Sequence, residues 1–233
     1  MRLRGKKGAL EILQAQPELV VLDGALHQGK WQQLFGNDQP IYVELGMGKG
    51  RFIAEMSVRY PHINFIGVDM YDELIYRASE KGKELHLEQH NAAPANLLLL
   101  RANIESIETI FAANELERIY LNFSDPWPKA KHARRRLTHP NFLNKYKESL
   151  NDRGEIHFKT DSRSLFEFSL NSFAQLEWKL GNIALDLHKD GPREDLVFTE
   201  YESKFMEQGM PIYRLEAAVG EQAIRKFRET IQV

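Results

Sequence analysis

The chain has 233 residues and 42% hydrophobic content, so it can bury one sizeable core but is short for two independently stable domains. Its 31 Lys and Arg residues against 33 Asp and Glu give a net charge of -2, so a nucleic-acid site has to be a local patch. The absence of cysteine excludes a disulfide framework, a thiolate zinc site and a cysteine nucleophile.

The N-terminal segment is basic but does not predict export. The charged start Met1–Lys7 is followed by polar residues between Glu11 and Glu18, which interrupt the apolar core that a signal peptide needs. No apolar run approaches the length of about 18 residues that a membrane helix requires. We expect a cytoplasmic protein without membrane contact, built as one domain with a basic arm and helix at 1–37 and an α/β core at 38–233.

Strand-like and helix-like patterns alternate along the chain. Strands are predicted at Ile41–Leu45, Ile63–Val68, Leu97–Arg101, Ile119–Phe123 and Glu155–Phe158. Helices are predicted at Phe52–Tyr60, Glu73–His86, Ile107–Leu116 and Phe142–Leu150. This alternation predicts a doubly wound, mostly parallel sheet with helices on both faces. The last third adds helices at Leu165–Leu176 and Glu200–Glu207, a mixed run near Ile183–Leu187, and an antiparallel edge strand at Ile212–Ala218.

The first predicted strand ends in a glycine-rich turn, Glu44–Gly50. Glycine lets the backbone approach a ligand, and open parallel sheets bind ligands at the carboxyl ends of their strands. Gly46 and Gly48 follow a G-x-G-x-G spacing that differs from the dinucleotide pattern. The Glu44 carboxylate would repel a pyrophosphate but suits the ammonium and sulfonium charges of S-adenosylmethionine. The alternative is a turn that serves strand-to-helix packing alone.

Two further polar residues fit the same ligand. Asp69 ends the second predicted strand, where a carboxylate commonly binds the ribose hydroxyls of a nucleotide-like cofactor. Asn103 follows the third strand and can hydrogen-bond an adenine edge. The sequence therefore predicts cofactor contacts at the ends of three neighbouring strands.

The fourth predicted strand runs into a stiff loop, Asn122–Lys129. Pro126 and Pro128 fix their own φ angles, so Asp125 and Trp127 are presented with little entropy to lose on binding a planar base. Trp127 can stack on the base while Asp125 accepts its N–H groups. For Trp127 a role as a core anchor stays equally open.

A run of cations follows this loop. After Lys129, the chain carries five further predicted RNA-binding residues, which are Lys131, His132, Arg134, Arg135 and Arg136. Clustered Lys and Arg beside a base pocket suit a phosphate backbone, whereas the alternative is a solubility patch. A second basic group comprises Arg2, Arg4, Lys6 and Lys7. We interpret His132 as a phosphate or loop contact and not as a base, and no cluster has metal-ligand spacing.

Four motifs together resemble one family. They are Glu44-Leu-Gly-Met-Gly48, Ser124-Asp-Pro-Trp-Pro-Lys129, His157-Phe-Lys-Thr-Asp161 and Thr199-Glu-Tyr-Glu202. Spread over nearly the whole chain, they closely resemble those of the bacterial tRNA (guanine-N7-)-methyltransferases. The proline loop with its basic tail is the most specific of the four, since many methyltransferases share the glycine turn.

The resemblance implies a Rossmann-like class I fold that transfers a methyl group from S-adenosylmethionine to N7 of a guanine in the tRNA variable loop. It places cofactor contacts on Glu44, Asp69, Asn103 and Asp125, with Asp125 also the catalytic residue. Substrate contacts fall on Lys129, Asp161, Thr199, Glu200, Tyr201 and Glu202. The expected partner is tRNA, and the enzyme is expected to be a monomer or homodimer.

Two rival functions stay open from the sequence. Ser124-Asp-Pro-Trp faintly resembles the loops of exocyclic-amine methyltransferases, although the second adjacent proline of those loops is missing. A non-catalytic RNA-binding subunit of the same fold is the second rival. The presence of Glu44, Asp69 and Asp125 argues for retained activity.

Overall fold

The structure is a computed structural model that describes residues 8–193 and 195–231. The chain divides into two compact units, the first ending at Phe111 and the second beginning at Ala112. The N-terminal basic group of Arg2, Arg4, Lys6 and Lys7 lies outside the described residues.

The first unit is a parallel α/β layer. Its strands are β1 (Val20–Val21), β2 (Ile41–Leu45), β3 (Asn64–Asp69) and β4 (Leu97–Arg101). Its helices are α1 (Ala9–Gln14), α2 (Trp31–Phe35), α3 (Arg51–Arg59), α4 (Asp72–His90) and α5 (Ile107–Ile110), with 3-10 turns at Gly24–His27 and Ile104–Ser106. The strands lie in the order β1-β4-β3-β2, and the pairs β1–β4, β4–β3 and β3–β2 are parallel.

Burial explains why these strands form a central layer. Every residue of β2 and of β3 is buried, as is typical of parallel strands covered on both faces. Helix α3 packs closely on α4 because Gly50, at its N-cap, has no side chain. A Cβ added at Gly50 would lie 2.3 Å from the Ala78 Cβ. The glycine turn, α3 and α4 therefore form one tightly packed corner.

The second unit contains an antiparallel pairing. Its strands are β5 (Leu116–Asn122), β6 (Leu150–Thr160), β7 (Lys179–Ala184) and β8 (Tyr213–Ala218). Its helices are α6 (Pro140–Ser149), α7 (Arg163–Gln175), α8 (Glu200–Glu207) and α9 (Glu221–Ile231), with a 3-10 helix at Ala130–Arg135. The order is β5-β6-β8-β7, in which β5 and β6 are parallel and β8 is antiparallel to both of its neighbours.

The predicted α/β class, with a mostly parallel sheet and an antiparallel strand near one edge, is confirmed. The structure adds β7 outside β8, in a stretch that the sequence left as a mixed run. The helix predicted at Ile107–Leu116 is too long, because the chain turns through a left-handed Asn114 and Leu116 begins β5. Within the described ranges, no helix is long and apolar enough to cross a membrane.

Candidate active site

The turn after β2 has a backbone that only glycine adopts readily. Gly46, Gly48 and Gly50 have φ angles of 80°, 58° and 77°, in the left-handed region. A Cβ added at Gly46 or Gly48 would meet nothing within 4 Å in the described structure. The amides of Gly46 and Met47 donate to the Val68 carbonyl at 2.9 and 3.0 Å. The turn is thus tied to β3 and leaves open space above its first two glycines.

Asp69, at the end of β3, is fixed against this turn. Its Oδ2 accepts the Gly48 amide at 3.1 Å. Its Oδ1 accepts the amides of Met70 and Tyr71 at 2.8 and 3.1 Å. Burial raises the pKa of Asp69, while these three amide donors oppose the rise. The carboxylate is therefore oriented by backbone donors beside the glycine turn, which is where the sequence analysis expects a ribose contact.

Glu44 and Asn103 lie at neighbouring strand ends of the first unit. Glu44 is the fourth residue of β2 and is buried. Asn103 follows β4 and is exposed, and its side-chain oxygen accepts the Glu105 amide at 3.0 Å to begin a 3-10 turn. Since this bond occupies the oxygen, the Asn103 amino group is the part suited to a ligand. The two residues differ in access, one held inside the sheet and one at the surface.

The loop after β5 adopts left-handed conformations without glycine. Phe123 and Trp127 have φ angles of 51° and 40°, which are uncommon for bulky residues. The Phe123 ring packs on Tyr201 and Phe205 of α8, with centroid distances of 6.4 and 5.7 Å. Asp125, which lies between Phe123 and Trp127 in the sequence, is exposed. The loop thus presents a carboxylate on a strained, side-chain-supported backbone.

The cation run separates into surface and interior members. Lys131, Arg134 and Arg135 are exposed, as is Lys129, and His132 is half-buried. The Arg135 guanidinium lies 4.8 Å from the centre of the Trp127 ring, so it covers one face of that ring. Arg136 is buried, and its Nε and Nη2 donate to the carbonyls of Pro126 and Trp127 at 3.1 and 3.0 Å.

The motif Thr199–Glu202 also divides into inner and outer residues. Thr199 and Glu202 form a capping box, in which the Thr199 hydroxyl accepts the Glu202 amide at 2.9 Å. Glu202 is fully buried, whereas Tyr201 is 57% exposed and Glu200 is half-buried. Asp161, directly after β6, is half-buried. The outward side chains of this segment are therefore those of Glu200 and Tyr201.

Two residues that the sequence analysis did not select complete this cluster. The Lys159 ammonium donates to Glu202 Oε2 at 2.9 Å and to the Val197 carbonyl at 3.3 Å. The His188 Nε2 lies 2.8 Å from Glu202 Oε1. A lysine inside the apolar run of β6 was the available signal, because a buried ammonium needs a partner. Within the described ranges, no group of three or more His, Asp or Glu side chains could hold a metal ion.

The chain is similar to known methyltransferases over most of its length. Residues 38–215 match the family described as putative methyltransferase. The chain is 49% identical to a tRNA (guanine-N(7)-)-methyltransferase of Lysinibacillus sphaericus (strain C3-41), over 93% of this chain and 97% of that protein. It is 48% identical to the Streptococcus gordonii protein of the same name, over 93% and 99% of the two chains.

Solved structures agree on the fold. The 16S rRNA methyltransferase KamB superposes with a TM-score of 0.61 at 12% identity, over 82% of this chain and 93% of that one. A variant of the 16S rRNA (adenine(1408)-N(1))-methyltransferase of Catenulisporales acidiphilia, with its cosubstrate SAM, superposes with a TM-score of 0.58 at 14% identity, over 84% of this chain and 91% of that one.

Proposed function

Since the chain belongs to the tRNA (guanine-N(7)-)-methyltransferase family, we propose how its residues form N7-methylguanosine in the variable loop of tRNA. The protein is an S-adenosylmethionine-dependent methyltransferase that acts on tRNA. The observation that carries the residue-level proposal is the exposed Asp125, which lies on a loop fixed by Arg136 and followed by surface cations. We further propose that it acts in the cytoplasm as a monomer or homodimer, without a metal.

The first unit has residues that fit the cofactor. The open space above Gly46 and Gly48 admits a ligand against the backbone, and a fixed carboxylate on Asp69 suits ribose hydroxyls. S-adenosylmethionine, when bound, supplies a methyl group activated by the positive charge on its sulfur. Glu44 complements that positive charge and excludes a pyrophosphate. The Asn103 amino group donates to an acceptor on the adenine edge.

The acceptor atom makes a general base unnecessary. Guanine N7 carries a lone pair and no proton at neutral pH, so the protein has to orient the base and does not have to deprotonate it. Orientation alone can contribute about 7–11 kcal/mol to lowering a barrier. We assign this task to Asp125, with a contact to the cofactor as well. Its carboxylate also stabilises the positive charge that develops on the purine ring.

Guanine is distinguished from adenine by acceptors for its N1–H and N2 amino groups. Asp161 and Glu200 supply carboxylates, Tyr201 supplies an exposed ring, and Lys129 supplies a cation beside the proline loop. Thr199 and Glu202 act differently, because their polar atoms are engaged in the capping box and in the ion pair with Lys159. We propose that these two residues serve recognition by fixing the start of α8.

The tRNA backbone is bound by the surface members of the cation run. Lys131, His132, Arg134 and Arg135 follow one another along the 3-10 helix and reach the surface or lie just below it. Lys and Arg that neutralise phosphates release counterions and supply much of the affinity. Arg135 covers one face of Trp127 and the His132 ring lies 5.8 Å from the Trp127 ring, so a base has to stack on the ring surface that these two side chains leave.

A single assay tests this function. The protein is incubated with methyl-labelled S-adenosylmethionine and bulk tRNA, which is then digested to identify the labelled nucleoside and its position. We expect N7-methylguanosine at a variable-loop guanine. Label on an exocyclic amine would contradict the chemistry, and N7-methylguanosine elsewhere would refute the position.

A further inference from the structure

Arg136 differs from the other cations of its run, all of which are exposed or half-buried. The sequence predicts that Arg136 binds RNA like Arg134 and Arg135, yet its side chain is buried. We propose that Arg136 is a positioning residue that holds the Asp125–Lys129 loop in its active shape and makes no contact with phosphate. This inference rests on the proposed function, since it assigns how the loop bearing Asp125 is kept in place.

The guanidinium of Arg136 makes three contacts within the protein. Its Nε donates to the Pro126 carbonyl at 3.1 Å and its Nη2 to the Trp127 carbonyl at 3.0 Å. Its Cζ lies 4.3 Å from the centre of the Phe168 ring, on helix α7. The planar fork of arginine fits two successive carbonyls and an aromatic face at once, and a lysine ammonium cannot do all three. The contacts therefore depend on the guanidinium and not on charge alone.

The loop needs such support from outside itself. Pro126 and Pro128 have no amide hydrogen, so they cannot close a turn by donating to a neighbouring carbonyl. Trp127, between them, is held at a φ of 40°, which a bulky residue keeps only when its surroundings enforce it. The two carbonyls to which Arg136 donates belong to the peptide groups immediately before and after Trp127. These bonds fix the two central peptide groups of the segment that joins Asp125 to Lys129.

The support itself rests on a rigid element. Two residues after Arg136, the Thr138 hydroxyl lies 2.7 Å from that of Ser169, and both residues are buried. Ser169 follows Phe168 in helix α7, so Arg136 and the residue two positions later are both attached to the same helix. Helix α7 therefore fixes the position of the loop, and loss of the guanidinium would free the loop from that helix.

The test uses Arg136→Lys and the charge-removing Arg136→Ala in the full-length protein, with Arg134→Lys and Arg134→Ala as matched variants. For Arg136→Lys we expect kcat to fall at least tenfold, the Kd for S-adenosylmethionine to stay within twofold, and the salt dependence of tRNA binding to stay unchanged. Arg134→Ala should lower the salt slope by about 0.7–0.9, as for one lost phosphate contact. A full kcat in Arg136→Lys, or a slope lowered in Arg136→Ala as in Arg134→Ala, would overturn the proposal.

Hydrogen exchange of the peptide 123–135 gives a readout that does not need methyl transfer. Arg136→Lys should speed exchange at the hydrogen-bonded amides of Phe123 and His132, which flank the loop, whereas Arg134→Lys should not. If the wild-type protein methylates no tRNA, the proposed function fails while this exchange still tests the positioning role. Should Arg136→Lys not fold, Phe168→Leu removes the ring that both Arg136 and His139 contact, leaves the Arg136 hydrogen bonds in place, and should speed the same amides. Unchanged exchange in a folded Arg136→Lys or in Phe168→Leu would contradict the role.

Discussion

The glycine turn after β2 and the proline loop after β5 both place backbone in the left-handed region, but by opposite means. The turn uses Gly46, Gly48 and Gly50, which have no Cβ to strain. The loop uses Phe123 and Trp127, whose side chains disfavour that conformation. The turn consequently adopts this backbone without side-chain strain and leaves open space above Gly46 and Gly48. The loop presents large side chains and depends on neighbours for its shape.

This difference matches what each segment binds. A small cofactor needs backbone that it can approach closely, so the absence of side chains at Gly46 and Gly48 is the useful property. A base in RNA has to be oriented, and a carboxylate on a loop braced by Arg136 and by the Phe123–Tyr201–Phe205 stack provides a fixed reference. Removing support around the loop should therefore cost more than strain added to the turn.

The largest expected effect is on the buried support of α8. Glu202→Ala leaves the Lys159 ammonium buried without its carboxylate, which should lower the free energy of unfolding by about 3–5 kcal/mol. Denaturant unfolding measures this loss. The double variant Lys159→Met with Glu202→Leu should regain much of the stability, and tRNA methylation with it. A stable double variant that methylates no tRNA would contradict a purely supporting role for this pair.

Asp125→Ala should have the next largest effect, on turnover. Losing the residue that orients the base and stabilises developing charge should lower kcat by about 10²–10³-fold. Binding of S-adenosylmethionine, measured by calorimetry, should stay within a few-fold. Complete loss of cofactor binding would reassign Asp125 from the transfer step to the cofactor site.

A smaller effect compares two glycines of similar conformation. Gly46 and Gly36 have φ angles of 80° and 72°, and a Cβ at either would meet no atom within 4 Å in the described structure. Gly46→Ala and Gly36→Ala should each lose about 1–2 kcal/mol of stability from left-handed strain. Only Gly46→Ala should also weaken S-adenosylmethionine binding. Equal cofactor affinities in the two variants would refute the assignment of the turn.

The smallest effect concerns the surface cations. Replacing Arg134 and Arg135 together with Ala should weaken tRNA binding and flatten its salt dependence by about 0.7–0.9 in slope for each lost phosphate contact. Binding titrations at several salt concentrations give the slope. A slope equal to that of the wild type would mean that the exposed run is a solubility patch.

The glycine turn could be predicted from the sequence because the spacing of the glycines indicates the backbone conformation directly. The orientation of Asp69 is also mostly local, since its carboxylate accepts amides one and two residues later in the chain as well as that of Gly48. The division of the cation run could not be predicted. Nothing in the sequence distinguishes one arginine of the run from the next. Arg136 packs on Phe168, which is distant in the sequence and comes close to it only in the folded chain.

Strand β7 was not predicted from the sequence, and the reason is local. Its pairing with β8 shifts register between Gly181 and Ala184, and Asn182 has a φ of 48°, so the alternation of apolar residues that marks a strand is broken. The Lys159–Glu202 pair escaped because its partners are far apart in the chain. For this pair, the missing information was the long-range partner and not the residue type.

The identity of the acceptor atom is tested most directly with a tRNA transcript that carries 7-deazaguanosine at the variable-loop target. This base keeps the Watson–Crick edge and the exocyclic amine of guanine but has no N7. We predict that the enzyme binds the transcript within about twofold of the unmodified one and transfers no methyl group to it. Methyl transfer to that base would contradict an N7 acceptor and favour the exocyclic amine.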